Sequence, residues 1–252
     1  MKGKKNIASQ EIVLQVKDLR KSFGDNHVLK GFNMQLHQGE NLVIMGKSGS
    51  GKSVMIKCLV GLLEADSGSI SVMDHDITKL SQEDLDILRA DIGFLFQGSA
   101  LYDSMTVREN LEFPLRRISK EKKSNTDIDK LVAEALENVG LANTEDLMPA
   151  ELSGGMKKRV ALARTLILKP KIILYDEPTS GLDPITAKEI ILLMQEIQQK
   201  YGTSSLIITH DIDCARVTAD QMLLLIDGVD YIVGTFEALS TSEDPNIKAF
   251  FK

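Results

Sequence analysis

Eight consecutive residues, Gly46-Lys47-Ser48-Gly49-Ser50-Gly51-Lys52-Ser53, set spaced glycines ahead of a lysine and a hydroxyl, the pattern of a loop that wraps phosphate. Glycine is needed because the backbone must curl until its N–H groups converge on one anion, and a Cβ would stand in the way. A helix starting where the loop ends adds a positive N-terminus to the cradle. With a nucleoside triphosphate in it, Lys52 reaches the β- and γ-phosphates and Ser53 offers its hydroxyl to Mg²⁺. The expected binding surface runs from Gly46 to Val54.

A second, acidic element follows far along the chain. Ile172 to Tyr175 is a short apolar run that ends in Asp176 and Glu177. Asp176 suits the Mg²⁺ shell, and Glu177 suits polarisation of an attacking water. The plain alternative is a solvated acidic pair before the Pro178 turn. His210 closes the next apolar run at the carboxyl edge of a sheet, within reach of a γ-phosphate. Gln97, after the apolar Ile92 to Phe96, is a neutral ligand for Mg²⁺ or its water, although any solvent-facing glutamine would read the same.

These side chains need strands and helices to hold them. Glu11 to Leu19 alternates as a strand, with Ile12, Leu14 and Val16 on one side, and Gly24 to Asn26 is turn-prone, so a small antiparallel sheet opens the chain. Asn41 to Met45, Lys171 to Tyr175 and Ser205 to Thr209 are compact apolar runs that suit buried parallel strands. Helical spacing is expected over Val54 to Leu63 and Ala187 to Lys200. From Asp84 to Glu151 the pattern turns amphipathic and charged, which predicts an inserted helical subdomain. Met222 to Val233 reads as a hairpin turning at Asp227-Gly228, and a short helix ends the chain.

The expected architecture is α/β: a P-loop NTPase (RecA-like) core, an N-terminal antiparallel β subdomain and an inserted α-helical subdomain. A single domain spans 1–252. Residues 10–96 and 168–236 form the β subdomain and core, 97–167 the helical part, and 237–252 a C-terminal helix and tail. With 43% hydrophobic and 26% charged residues, the chain has enough apolar material for one large core. A net charge of −6 argues against nucleic-acid binding as the main activity. No run approaches the roughly 20 apolar residues of a membrane span. Cys58 and Cys214 form no metal-ligand cluster and are expected as reduced, structural thiols.

Leu152-Ser153-Gly154-Gly155-Met156-Lys157-Lys158-Arg159 resembles the signature motif of ABC ATPases. Physically it is another anion cradle, with a hydroxyl, backbone N–H groups and a helix N-terminus. The resemblance implies that Ser153, Gly154 and Gly155 serve the ATP of a second copy, giving a homodimer that sandwiches nucleotides head to tail. It further implies that Phe23 stacks on adenine, that Gln97 is the Q-loop residue, that Ser180-Gly181-Leu182-Asp183 is the D-loop and that His210 is the switch histidine. For Phe23, burial in the small sheet is the plain alternative.

Finer matches resemble the Mla-type phospholipid transport ATPases. They are Phe96 to Tyr102, Met105-Thr106-Val107, Asn110, Phe113-Pro114-Leu115, Leu147 to Glu151, Met156, Asp183 to Thr186 and the tail from Glu243 to Phe251. That resemblance implies an integral membrane permease of the MlaE-like kind, an MCE-domain protein and a STAS-domain regulator as partners. The chain is then a cytoplasmic subunit, peripheral on the inner membrane through the permease, and the cargo is phospholipid. The alternatives are the ATPase of an importer or lipoprotein-release complex and, from another class, a soluble non-transport ABC ATPase.

Overall fold

The structure, a computed structural model, describes residues 10–118 and 125–251. The lysine-rich start and residues 119–124 of the polar Ser119 to Asp129 segment lie outside the described residues. The remainder of that segment, from Asn125, opens a helix.

Strands β1 (Ile12–Phe23) and β2 (Asn26–His37) pair antiparallel across the turn at Gly24-Asp25. β4 (Ser67–Val72) flanks β1, and β5 (His75–Asp76) flanks β4, completing a four-stranded antiparallel sheet. Val16 faces Met34 on one side and Ile70 on the other, so the alternation legible in β1 is the inward row of this sheet.

The second sheet has six strands: β3 (Asn41–Met45), β6 (Ile92–Leu95), β7 (Ile172–Asp176), β8 (Ser204–Ile208), β9 (Gln221–Ile226) and β10 (Val229–Gly234). They lie in the order β10-β9-β3-β8-β7-β6, parallel except for the β9–β10 hairpin. β3 and β8 are buried at every position, as continuous apolar runs in a sheet covered on both faces should be.

Alternate residues of these strands feed two cores. Leu42, Ile44, Ile172, Leu174, Leu206 and Ile208 face the antiparallel sheet, α1 (Lys52–Leu59) and α2 (Gln82–Ala90). Val43, Met45, Ile173, Tyr175 and Ile207 face α5 (Gly154–Leu166), α6 (Pro184–Tyr201) and α7 (Ile212–Thr218). The helical insert, α3 (Val107–Ile118) and α4 (Asn125–Glu137), joins this second core through α5. One correction follows: the charged stretch from Asp84 does not all belong to the insert, because β6 hydrogen-bonds to β7 as the sheet edge and Leu85 and Leu88 of α2 pack in the first core.

Cys58 and Cys214 are buried free thiols, and burial lifts them to about 11 and about 12, which keeps them protonated and unreactive at neutral pH. The chain closes with α8 (Phe236–Ser240) and α9 (Pro245–Lys248) where one short helix was expected. No helix among the described residues is long and apolar enough to cross a membrane.

Candidate functional site

β3 delivers the chain to Gly46 at the carboxyl edge of the sheet, and α1 begins six residues later at Lys52. A Cβ at Gly46 would come within 2.4 Å of Ser50 Oγ and 2.8 Å of the Leu225 carbonyl. Gly51 caps α1 at φ +104, a left-handed conformation that costs glycine little. The loop therefore depends on glycine for both space and backbone angle. Ser50 Oγ is buried without a hydrogen-bond partner, a polar atom left unpaired in the wall of an anion cradle.

Lys52 Nζ donates to the carbonyls of Gly46 at 2.6 Å and Lys47 at 3.0 Å, bracing the loop from inside. An ammonium has three donors, so one remains for a phosphate oxygen. Burial pulls the Lys52 pKa down, and Glu177 and Asp176 partly restore it.

β7 ends at Asp176, whose carboxyl is pushed up by burial and by Glu177 and drawn back by Lys158 and Lys52. Glu177 is held at φ +47, an uncommon backbone for a side chain of its size. Its N–H donates to the Ile208 carbonyl at 2.8 Å. Its Oε2 lies 2.8 Å from His210 Nδ1 and accepts from the His210 N–H at 3.3 Å. The two residues after strands β7 and β8 are thereby fixed against each other. Gln97 Nε2 donates to Ser180 Oγ at 3.2 Å, which joins the segment after β6 to the segment after β7.

These groups line one cavity of about 830 Å³: Phe23, the loop and first turn from Gly46 to Val54 except Ser50, then Gln97, Asp176, Glu177 and His210. Ser50 lines an adjoining pocket of about 410 Å³. Phe23 is 50% exposed, so its place is on the cavity wall and not in the small sheet's core. Among the described residues no three His, Cys, Asp or Glu side chains converge into a metal cage. That suits Mg²⁺, which takes one or two carboxylates plus substrate phosphates; Ser53, Asp176 and Gln97 would supply the protein side. A cradle, a cation and two carboxylates on one cavity wall fit Mg²⁺ with a triphosphate.

The remaining sequence candidates lie elsewhere. Ser153 caps α5 by accepting from the Met156 N–H at 3.2 Å, and Ser153 and Gly154 are exposed. Neither these nor Gly155 line the cavity. A Cβ at Gly155 would meet Thr186 Cγ2 at 2.5 Å, so this glycine lets α5 approach α6. Asp183 is the N-cap of α6, accepting from Ile185 N, Thr186 N and Thr186 Oγ1. Those bonds, the Thr186 hydroxyl first, hold its carboxyl below the usual range.

Three contributors escaped the sequence-based expectation. Lys158 is 4% exposed, and its Nζ donates to the Gln97 carbonyl. Its place in the signature run gave no sign that it points inward. Ala249 and Phe250 line the nucleotide cavity, brought there by α9. The apolar Ala249-Phe250-Phe251 after Pro245 was the available signal.

A family model described as "ABC transporter" matches residues 29–180, more than half of the chain. Over 95% of its length the chain is 41% identical to the "Probable ribonucleotide transport ATP-binding protein mkl" of Mycobacterium leprae, covering 68% of that protein. It is 41% identical over 86% of its length to the "Methionine import ATP-binding protein MetN" of Clostridium tetani, covering 67% of it. It is 38% identical over 95% to the "Protein TRIGALACTOSYLDIACYLGLYCEROL 3, chloroplastic" of Arabidopsis thaliana, covering 73% of it. The fold superposes on the ATP-binding cassette MJ0796, solved as a dimer in a post-hydrolysis state with ADP and Pi. The TM-score is 0.81 and the identity 32%, over 88% of this chain and 98% of that one. By matched length, identity and site geometry together, this chain belongs to the ABC transporter family as one of its ATP-binding, ATP-hydrolysing cassettes, which work on ATP with Mg²⁺.

Proposed function

We propose that two copies of this chain close head to tail on two ATP molecules and drive a membrane permease. One observation carries this: the second anion cradle, Ser153 to Gly155, presents Ser153 and Gly154 to the surface and lies off the cavity that holds Lys52 and Glu177. A cradle that does not serve its own chain's phosphates is available to those of a second copy. The dimeric cassettes among the structural relatives support that arrangement.

Within each site, the loop N–H groups and Lys52 bind and orient the β- and γ-phosphates. Glu177, aimed by His210, takes the proton of the attacking water while the fixed positive charge of Lys52 meets the charge that develops. Bound Mg²⁺ would neutralise phosphate charge between Ser53, Asp176 and Gln97. Loss of the γ-phosphate removes the group that both cradles grip, and the copies part. Glu177→Gln should bind ATP with unchanged affinity, lose hydrolysis by a factor of about 10² to 10⁴, and accumulate as a dimer with Mg-ATP in sedimentation. A strictly monomeric variant under those conditions would sink the proposal.

For the permease contact, the supporting feature is a groove of about 460 Å³ beside Gln97, lined by Phe96, Tyr102, Phe113, Pro114 and Arg164. An amphipathic segment with an apolar anchor suits such a surface. Through it the chain would sit at the membrane's cytoplasmic side without spanning it.

The relatives named for methionine import and ribonucleotide transport favour the importer, the alternative raised by the sequence, over phospholipid transport. Phospholipid transport stays as a second reading, supported by the Phe96 to Leu115 and Met156 resemblance and by the relative bearing a galactoglycerolipid name. It alone brings the MCE-domain and STAS-domain partners. Affinity purification of the tagged chain from solubilised membranes, with identification of copurified subunits and lipids, decides between the two.

A further inference from the structure

Lys158 sits on the first turns of α5, the helix that Ser153 caps, yet it is buried, whereas its neighbour Lys157 keeps partial exposure. A buried ammonium is costly unless its donors are taken and its charge is balanced. The catalytic region takes two of its three donors and balances its charge. Its Nζ donates to the Gln97 carbonyl and lies 3.5 Å from the Glu177 carbonyl, and the balancing charges are Asp176 and Glu177. Desolvation lowers the Lys158 pKa, and those two carboxylates raise it.

Both bonded carbonyls belong to residues whose side chains line the nucleotide cavity. Glu177, moreover, carries the φ of +47, a conformation that persists only where its surroundings hold it. Its N–H is held by β8 and its carboxylate by His210. The Glu177 carbonyl accepts the Ser180 N–H at 3.1 Å, and Lys158 is the side chain beside it, at 3.5 Å. Gln97 in turn reaches Ser180 beyond Glu177, so the segments after β6 and β7 are joined twice.

We infer that Lys158 is a positioning residue, through which the placement of the signature helix and of the Gln97 segment sets the aim of Glu177 at the attacking water. It touches neither nucleotide nor water itself. When α5 shifts on meeting a second copy, or the Gln97 segment shifts on meeting a permease, Lys158 carries that shift to the general base within one chain. This deepens the proposed ATP site and rests on its assignment of Glu177.

The test is steady-state and single-turnover hydrolysis by the full-length chain carrying Lys158→Met, Lys158→Arg or Lys158→Gln. Lys158→Met should lower kcat by about tenfold while KM and magnesium-free ATP binding stay within about twofold. Lys158→Arg, which keeps charge and donors, should recover most of the lost rate. In a Glu177→Gln background Lys158→Met should leave the residual single-turnover rate unchanged, because groups that act through one another are not additive. An unchanged kcat, a parallel loss of ATP binding, or the same proportional loss in the Glu177→Gln background would each overturn the inference. Should Lys158→Met not fold, Lys158→Gln is judged by the same three measurements. Wild-type hydrolysis and its loss in Glu177→Gln stand apart from these results, so failure of the site assignment is separable from failure of the Lys158 role.

Discussion

Asp176 combines a half-buried position, a neighbouring carboxylate and two lysines, and burial wins: its carboxyl titrates above the ordinary value of 3.8. A group whose folded-state pKa is raised stabilises the fold fully below the unfolded pKa, and that stability is lost as pH rises through the folded value. At neutral pH the ionised Asp176 therefore weighs against the nucleotide-free fold. Asp176→Asn should raise the melting temperature at pH 7, with the gain vanishing below pH 3.8, where both states of the native residue are protonated. Thermal scans across that range check it, and a lowered melting point at pH 7 would mean that pairing with Lys52 and Lys158 outweighs burial. The same sign governs the metal. Mg²⁺ must displace a proton held more tightly than usual, so its affinity should fall as the pH drops through the raised pKa.

Among the elements, the contact of α5 with α6 leaves no room for a Cβ. Gly155 allows it, and Thr186, held by Asp183 Oδ2 at 2.6 Å, occupies the space a Cβ would need. Gly155→Ala should destabilise the chain by about 1 to 3 kcal/mol through overpacking, read as a lower urea midpoint. Adding Thr186→Ser removes the offending methyl, keeps the hydroxyl bond and should return most of the loss. This pair also marks what the sequence made legible. Glycines ahead of Lys52, and carboxylates or a histidine at strand ends, announce themselves because phosphate and metal chemistry demand those types at those places. The parallel strands were equally plain as compact Ile- and Leu-rich runs. Gly155 was read only as part of an anion cradle, since close packing with α6 depends on a residue 31 positions away, as the spacing of Gly155 and Thr186 shows. The charged pattern starting at Asp84 ran across β6, whose four residues are short beside the amphipathic helices that flank them, although the domain boundary drawn at 96 left it with the core. Lys158 stayed hidden for a similar reason: a lysine in a basic run defaults to solvent, and only tertiary packing turned it inward.

At the scale of the whole molecule, the proposed function turns the separation of Ser153 from Lys52 into a claim that each active site belongs to two chains, which a mixing experiment tests directly. Lys52→Ala removes the phosphate grip from its own chain's cavity, and Ser153→Arg fills the cradle offered to the partner. Either variant alone leaves every site in its homodimer defective. In a mixed dimer the two lesions fall in the same composite site, and the other site takes Lys52 from one chain and Ser153 from the other, both intact. If copies pair at random in a two-fold dimer, about half the dimers are mixed with one good site each, so an equal mixture should recover roughly a quarter of wild-type hydrolysis. Recovery should follow the mixing ratio and peak near equality. An active Ser153→Arg homodimer, or a mixture as inert as its two components, would show instead that each chain completes its own site.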